Sequence, residues 1–416
     1  MYSLTEGIED LKADRPRIRI GRTKISNIFI DDEKISKNHC EIILERVKKS
    51  EQKENNQPPI AWLTDKSTNG VWVNGKLIGN NKKIKLSHCD EITLVEPKIS
   101  QKIAPKYRFF FQYANMPSPL SEIKEIAKSY KIFGLANEGG YGQVYLGRNI
   151  HNKELITVQA FENKIFYDQK ELEHETNKKK FLQSINKLKE IQSENLVRIH
   201  SVITTEDHLY IIREYLNLDD LSSVIQKREK FPEEEARSIF EQIIQIIDFL
   251  HENEIVHRNI RPEILLIKII DSKIKVVLSN RGIDNLIPNN LSSYTIAQRT
   301  STRAPETLSP EFNINKPCDL WSAGVILYML LSGIRVFQEP RKDGLTLYNQ
   351  IEKAVFDFSP DPFSSITIAA KNLIRRLLHI LQEYRPTTKE VLNHPWMANR
   401  SELIKYECED LDEYIY

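Results

Sequence analysis

The chain has 416 residues and no excess of either charge, with 59 Lys plus Arg against 58 Asp plus Glu and a formal charge of +1. So even a balance gives no pull toward a nucleic acid backbone or an anionic membrane, and neither is an expected partner. Paired cysteines are also lacking. Cys40, Cys89, Cys318 and Cys408 are scattered, which argues against a zinc motif and a disulfide framework and fits a reducing compartment. The N-terminus shows no basic region followed by an apolar core. The longest apolar run, Ala323 to Leu331, is too short for a bilayer and reads as a buried helix. No internal repeat is present. An intracellular, soluble protein is expected, with two or three domains at roughly 150 residues each. The 40% of hydrophobic residues supplies ordinary globular cores.

Residues 17 to 115 hold short alternating runs, among them Arg17–Ile20, Cys40–Leu44, Val71–Val73, Glu91–Val95 and Tyr107–Gln112. Asn, Asp and Gly separate them, the pattern of an all-β sandwich. Lys48 to Pro59 is too polar for a core and reads as a mobile loop. Met116-Pro-Ser-Pro119 breaks the pattern and opens a linker over 116–129, with helical spacing from Leu120 to Ser129. From 130 to 398, strands up to about residue 215 precede amphipathic helices. Glu233 to His251, for example, carries Ala236, Ile239, Phe240, Ile243, Ile244, Ile247 and Leu250 at helical spacing. Lys178 to Lys180 reads as the solvated face of a helix. Residues 399–416 form an acidic tail with aromatic residues.

Three clusters in the first region fall in loops, where a sandwich gathers binding residues: Gly21-Arg22, Ser36-Lys37-Asn38-His39, and Ser67-Thr68-Asn69-Gly70 followed by Asn74-Gly75. Arg22 and Lys37 bring positive charge, while Ser36, Thr68 and Asn69 bring short donors, a set suited to a dianionic phosphate. Taken singly, each cluster also reads as a hairpin turn or a surface charge. Their order and spacing resemble the forkhead-associated (FHA) domain, which binds phosphothreonine peptides. That resemblance implies that Arg22, Ser36 and Lys37 touch the phosphate and that Asn69 holds the peptide backbone. His39 would brace the loop from behind, and Gly21 and Asn74 would be structural.

The region 130–398 resembles a Ser/Thr protein kinase. Arg303-Ala-Pro-Glu306 stands at the Ala-Pro-Glu motif, Asp319-Leu-Trp-Ser-Ala-Gly324 follows, and Arg385 lies near the end. The family implies a Glu306–Arg385 ion pair and an Asp319 that braces the catalytic-loop backbone. An FHA region before a kinase frame, with the ending Lys389 to Trp396, looks most like the checkpoint and meiotic FHA kinases of the calmodulin-kinase-like group. The fold expected is therefore multidomain, an all-β FHA sandwich followed by a two-lobed α+β kinase-like fold.

The chemistry does not follow the frame. The loop His257-Arg258-Asn259-Ile-Arg261-Pro-Glu-Ile264 has Asn259 at the position of the base, and an amide takes no proton near neutral pH. Arg261 replaces the loop lysine, and Ile264 replaces a metal ligand. By alignment, Gln159 stands at the phosphate-binding lysine, and Asn280-Arg281-Gly282 replaces Asp-Phe-Gly. The glycine-rich loop keeps Gly139, Gly142 and Val144, with Asn137 at its first glycine position. Arg213 occupies the gatekeeper position beside the expected adenine pocket, where it needs a carboxylate or water. Asp220 stands where a ribose-binding acid is expected. The helix glutamate that pairs the lysine is left open between Glu175 and Ser184.

The sequence thus predicts a signalling adaptor with a pseudokinase domain and no metal or cofactor. Its partners are a phosphothreonine protein and a second protein on the kinase-like surface. The alternative is an active Ser/Thr kinase of the same type, which would use ATP and Mg²⁺. Residence in the cytoplasm or nucleus is expected, the nucleus by resemblance alone.

Overall fold

Alternation of buried and exposed residues sets the first strands in a computed structural model. It describes residues 1–3, 11, 16–45, 59–95, 107–113, 116–139, 142–166, 171–216, 218–270, 273–279, 300–308, 315–338, 344–358 and 361–398. The 48–58 loop, Asn280-Arg281-Gly282, Cys408 and the 399–416 tail lie outside these residues, as does the side chain of Glu175. The chain divides into two compact units. One holds Met1–Glu162 with Ile199–Asn217, and the other holds Asn163–Arg198 with Leu218–Tyr416.

The first unit begins with two five-stranded sheets. Strands β1 (Tyr2–Ser3), β2 (Arg17–Gly21), β3 (Ile28–Phe29), β4 (Cys40–Glu45), β5 (Ile60–Asp65), β6 (Val71–Val73), β7 (Lys76–Leu77), β8 (Lys83–Leu86), β9 (Glu91–Leu94) and β10 (Tyr107–Phe110) form it. Their orders are β3-β2-β4-β5-β8 and β1-β10-β9-β6-β7. Ile18, Ile20, Ile42, Leu63, Ile92 and Phe109 fill the space between the sheets. Strand β1 lies before the expected start of this region. Two residues carry no periodicity, and pairing with β10 alone makes it a strand.

On the outer face, the Glu41 carboxylate is buried and accepts from Arg17, Arg19 at 3.2 Å and Lys66 at 3.1 Å. The bond from Arg17, with the other two cations, holds its pKa down from the ordinary 4.5 to about 2. The folded state therefore gains stability from this group above pH 4.5 and loses it as the pH falls toward 2. The half-exposed cations are screened, so the gain is about 1 kcal/mol. Glu41→Gln is expected to flatten the fall in denaturant midpoint between pH 5 and 2.

The expected linker is packed rather than free. Pro117 and Pro119 and the positive φ of Leu120 delay the helix, so α1 spans only Lys124–Ser129. Its Ile126 is buried with Ile132, Ile156, Val158 and Ile212. Strands β11 (Tyr130–Gly139), β12 (Gly142–Asn149), β13 (Leu155–Glu162), β14 (Ile199–Thr204) and β15 (His208–Glu214) complete this unit as one sheet, ordered β11-β12-β13-β15-β14.

The second unit is mainly helical. It holds α2 (Glu171–Glu190), β16 (Asp219–Asp220), α3 (Leu221–Arg228), α4 (Glu233–Glu252), β17 (Leu265–Ile270), β18 (Lys273–Leu278), α5 (Pro317–Ser332), α6 (Leu347–Glu352), α7 (Ile368–Leu377) and α8 (Thr388–Leu392). The apolar stripe of α4 is buried along its length, and α5 is buried on nearly every side. No helix of the described residues is long and apolar enough to cross a membrane.

Candidate functional site

The loops after β2, before β4 and between β5 and β6 are laced together by their own backbone. The Arg22 N–H donates to the Ser36 carbonyl at 3.0 Å. A Cβ on Gly21 would stand 2.4 Å from the Lys37 carbonyl, so this approach needs glycine. The Ser36 N–H donates to Nδ1 of His39 at 3.0 Å, and Nε2 of His39 lies 3.1 Å from the Gly70 carbonyl. An Nδ1 that accepts leaves the proton on Nε2, so His39 is neutral, and burial lowers its pKa. Behind the third loop, Asp65 accepts from the Ser67 N–H and hydroxyl and from the Val71 N–H.

Above this scaffold the Thr68 N–H donates to Ser36 Oγ at 3.1 Å, and the Asn69 amide donates to the Lys34 carbonyl at 2.7 Å. Arg22, Lys37, Thr68 and Asn69 are exposed and Ser36 is half-buried. Among the described residues neither the Arg22 guanidinium nor the Lys37 ammonium makes a hydrogen bond or ion pair. Two unneutralised cations beside short hydroxyl and amide groups can hold a dianionic phosphate. Asn74 lies apart and fixes a hairpin, accepting from the Glu91 N–H and donating to Asp90.

In the antiparallel sheet β11–β15, Gly142 has φ +111°, and a Cβ there would lie 2.0 Å from the Ala160 carbonyl. Gly139 pairs with Gly142, and Val144 pairs with Gln159. Thr157 is opposite Arg213 and Gln159 is opposite Ile211, which sets Gln159 and Arg213 on one face of the sheet. Both are buried, and the Arg213 guanidinium donates to the Gln159 amide oxygen at 2.6 Å. A neutral amide is thus one of the partners that hold this guanidinium. Nothing in the sequence marks these two positions, 54 residues apart, as a pair.

The helical unit keeps its loop rigid through Asp319. This buried carboxylate accepts from the His257 N–H at 2.9 Å, the Arg258 N–H at 2.8 Å and His251 Nε2 at 3.0 Å. The bonds offset a strained Arg258 at φ +62°. Asn259 is buried, with its N–H 3.3 Å from His257 Nδ1. Ile264 is fully buried and belongs to the core. Arg261 is half-buried, 4.0 Å from Glu263. Asp220 caps α3, and its two oxygens accept from the Ser223 N–H at 2.9 Å and the Ser223 hydroxyl at 2.8 Å. Ser184 donates to the Lys180 carbonyl within α2 at 3.1 Å. Glu306 and Arg385 form a buried bidentate pair at 2.5 and 2.8 Å.

A family model for the protein kinase domain matches residues 130–397, and one for the FHA domain matches residues 18–95. The chain belongs to the protein kinase family. Its kinase domain follows an FHA domain, the all-β sandwich. The protein named "Probable serine/threonine-protein kinase fhkC", of Dictyostelium discoideum, is 28% identical over 99% of this chain and 67% of its own length. From the same organism, fhkE is 27% identical over 95% of this chain and 54% of its own length. Serine/threonine-protein kinase DCLK3 of Mus musculus is 32% identical over 66% of this chain and 33% of its own length. The chain thus spans between a third and two thirds of these relatives. The crystal structure of Rad53 1-466 in complex with AMP-PNP aligns with TM-score 0.53 and 22% identity, covering 94% of this chain and 96% of that one. It shares the fold.

Proposed function

We propose that the protein is a phosphothreonine-dependent adaptor. Its FHA domain recruits a phosphorylated protein, and its kinase domain offers a surface to a second protein without transferring phosphate. The observation that carries this reading is the buried bond from Arg213 to Gln159. Phosphoryl transfer needs a lysine on the phosphates, carboxylate or amide ligands for magnesium, and an aspartate near the nucleophile. At the lysine position stands a neutral amide already engaged by a guanidinium. At one ligand position stands a fully buried isoleucine, Ile264. Asp220, the expected ribose acid, is occupied by its own helix cap. These residues do not fit a magnesium nucleotide.

The names of the relatives favour a second reading, an active Ser/Thr kinase. A radiolabelled ATP transfer assay separates the two. The native chain is expected to give no transfer above background, at least about 10⁴-fold below the 1–100 s⁻¹ typical of kinases. Native turnover that disappears on changing Gln159 or Asn280 establishes the second reading. The Gln159→Lys/Asn259→Asp/Asn280→Asp variant shows how much of the missing chemistry those positions account for.

A further inference from the structure

The FHA sandwich and the kinase sheet β11–β15 lie in one compact unit, and the residues between them are fully engaged. Along β10, Tyr107 and Phe109 enter the sandwich core, so Arg108 and Phe110 point out of it. Phe110 is nevertheless fully buried, in a cluster with Phe133 of β11 and Leu146 of β12. Tyr2 of β1 stacks on Phe133 with centroids 4.8 Å apart. Arg148 of β12 donates to the Ser3 carbonyl at 2.7 Å.

Polar groups close the rim. The register of β11 is irregular between Ile132 and Gly134, and there the Gln112 amide donates to two carbonyls, at 3.0 Å to Ile132 and 2.6 Å to Phe133. Arg108 is held by Glu91 and donates to the Tyr215 hydroxyl at 2.8 Å, just beyond the end of β15. Gly134 comes so close that a Cβ would lie 2.8 Å from the Cys89 carbonyl and 3.0 Å from the Phe110 ring. Side chains of the sandwich thus complete the hydrogen bonding and the apolar cover of the kinase sheet.

The geometry points to a single cooperative unit in which the FHA domain is a structural part of the kinase sheet, so that a phosphothreonine peptide on the Arg22–Lys37 loops stabilises the strands carrying Gln159 and Arg213. The peptide arm of this inference rests on the FHA reading above; the mechanical arm does not. A ligand bound only by the folded unit suppresses every opening that dissolves the unit by the same factor, 1 + [L]/Kd.

Hydrogen exchange on the full chain tests it, with a phosphothreonine peptide selected by titration from a degenerate library. At about 100 times its Kd, the core amides of β12 and β13 are expected to slow by about 100-fold together with those of β4 and β5. Gly134→Ala drives a methyl group into the Cys89 carbonyl, and Phe133→Ser removes the shared ring. In either variant the slowing is expected to remain in the sandwich and vanish from the kinase sheet. Gln112→Ala gives a milder comparison if Phe133→Ser does not fold. Slowing confined to the sandwich of the native chain overturns the inference. If no peptide binds, the FHA reading fails, and exchange in graded denaturant still decides the coupling. One common opening for β4, β5, β12 and β13 supports it, and two separate openings overturn it.

Discussion

Arg22→Ala is expected to weaken phosphothreonine peptide binding by roughly 30-fold or more while leaving the melting temperature nearly unchanged, because removing one partner of a charge-assisted contact that the bound peptide buries typically costs about 2–5 kcal/mol. The fold survives because Arg22 serves it through its backbone. The N–H that donates to the Ser36 carbonyl is kept by alanine, and the exposed guanidinium makes no ion pair among the described residues. Arg22→Lys keeps the charge and loses the planar fork, so it should recover only part of the affinity. His39→Ala is the contrasting variant. It removes the acceptor for the Ser36 N–H and the link to Gly70, so stability and affinity should fall together. Peptide titration beside thermal unfolding measures both, and an unchanged affinity for Arg22→Ala would sink the assignment of this loop.

What the sequence made legible, it did through short-range rules. Alternation in Arg17–Ile20 and Cys40–Leu44 marks strands because one face of each meets the sandwich core. The apolar stripe from Ala236 to Leu250 marks α4 for the same reason at helical period. The roles of Asp319, Glu306 and Arg385 come from the resemblance to the kinase family, and the structure shows Asp319 bonded to the loop backbone and Glu306 bonded to Arg385. Long-range pairing outside the family's own motifs was not legible. Nothing near Arg213 names Gln159 as its acceptor, since the register of β13 against β15 alone brings them together. The 116–129 segment reads as a linker because its prolines break periodicity, yet Ile126 is fully buried against the kinase sheet. Asp220 looks like a ligand-binding acid by alignment. Its local neighbour Ser223 supplies an N–H and a hydroxyl that turn it into a helix cap.

Arg385→Met is expected to destabilise the helical unit by about 3–5 kcal/mol, since it leaves the Glu306 carboxylate buried without its counter-charge. The pair is closed on every side. Both side chains are less than a tenth exposed, the two bonds are 2.5 and 2.8 Å, and the guanidinium also donates to the carbonyls of His379 at 2.8 Å, Ile380 at 3.0 Å and Pro317 at 3.2 Å. Its central carbon Cζ lies over the Trp321 ring, 5.0 Å from the centroid. Methionine fills the space and satisfies none of these acceptors. The double variant Arg385→Met/Glu306→Leu removes the stranded charge, so it should lose less than the sum of the single changes, a coupling that a double-mutant cycle reads directly from denaturant midpoints. A loss below about 1 kcal/mol for Arg385→Met would mean that water reaches the site in solution. The contrast with Gln159, Asn259 and Ile264 gives the measurement its functional weight. Under the adaptor reading proposed above, a chain that has replaced groups needed for transfer while keeping this buried pair keeps its shape where it gives up its chemistry.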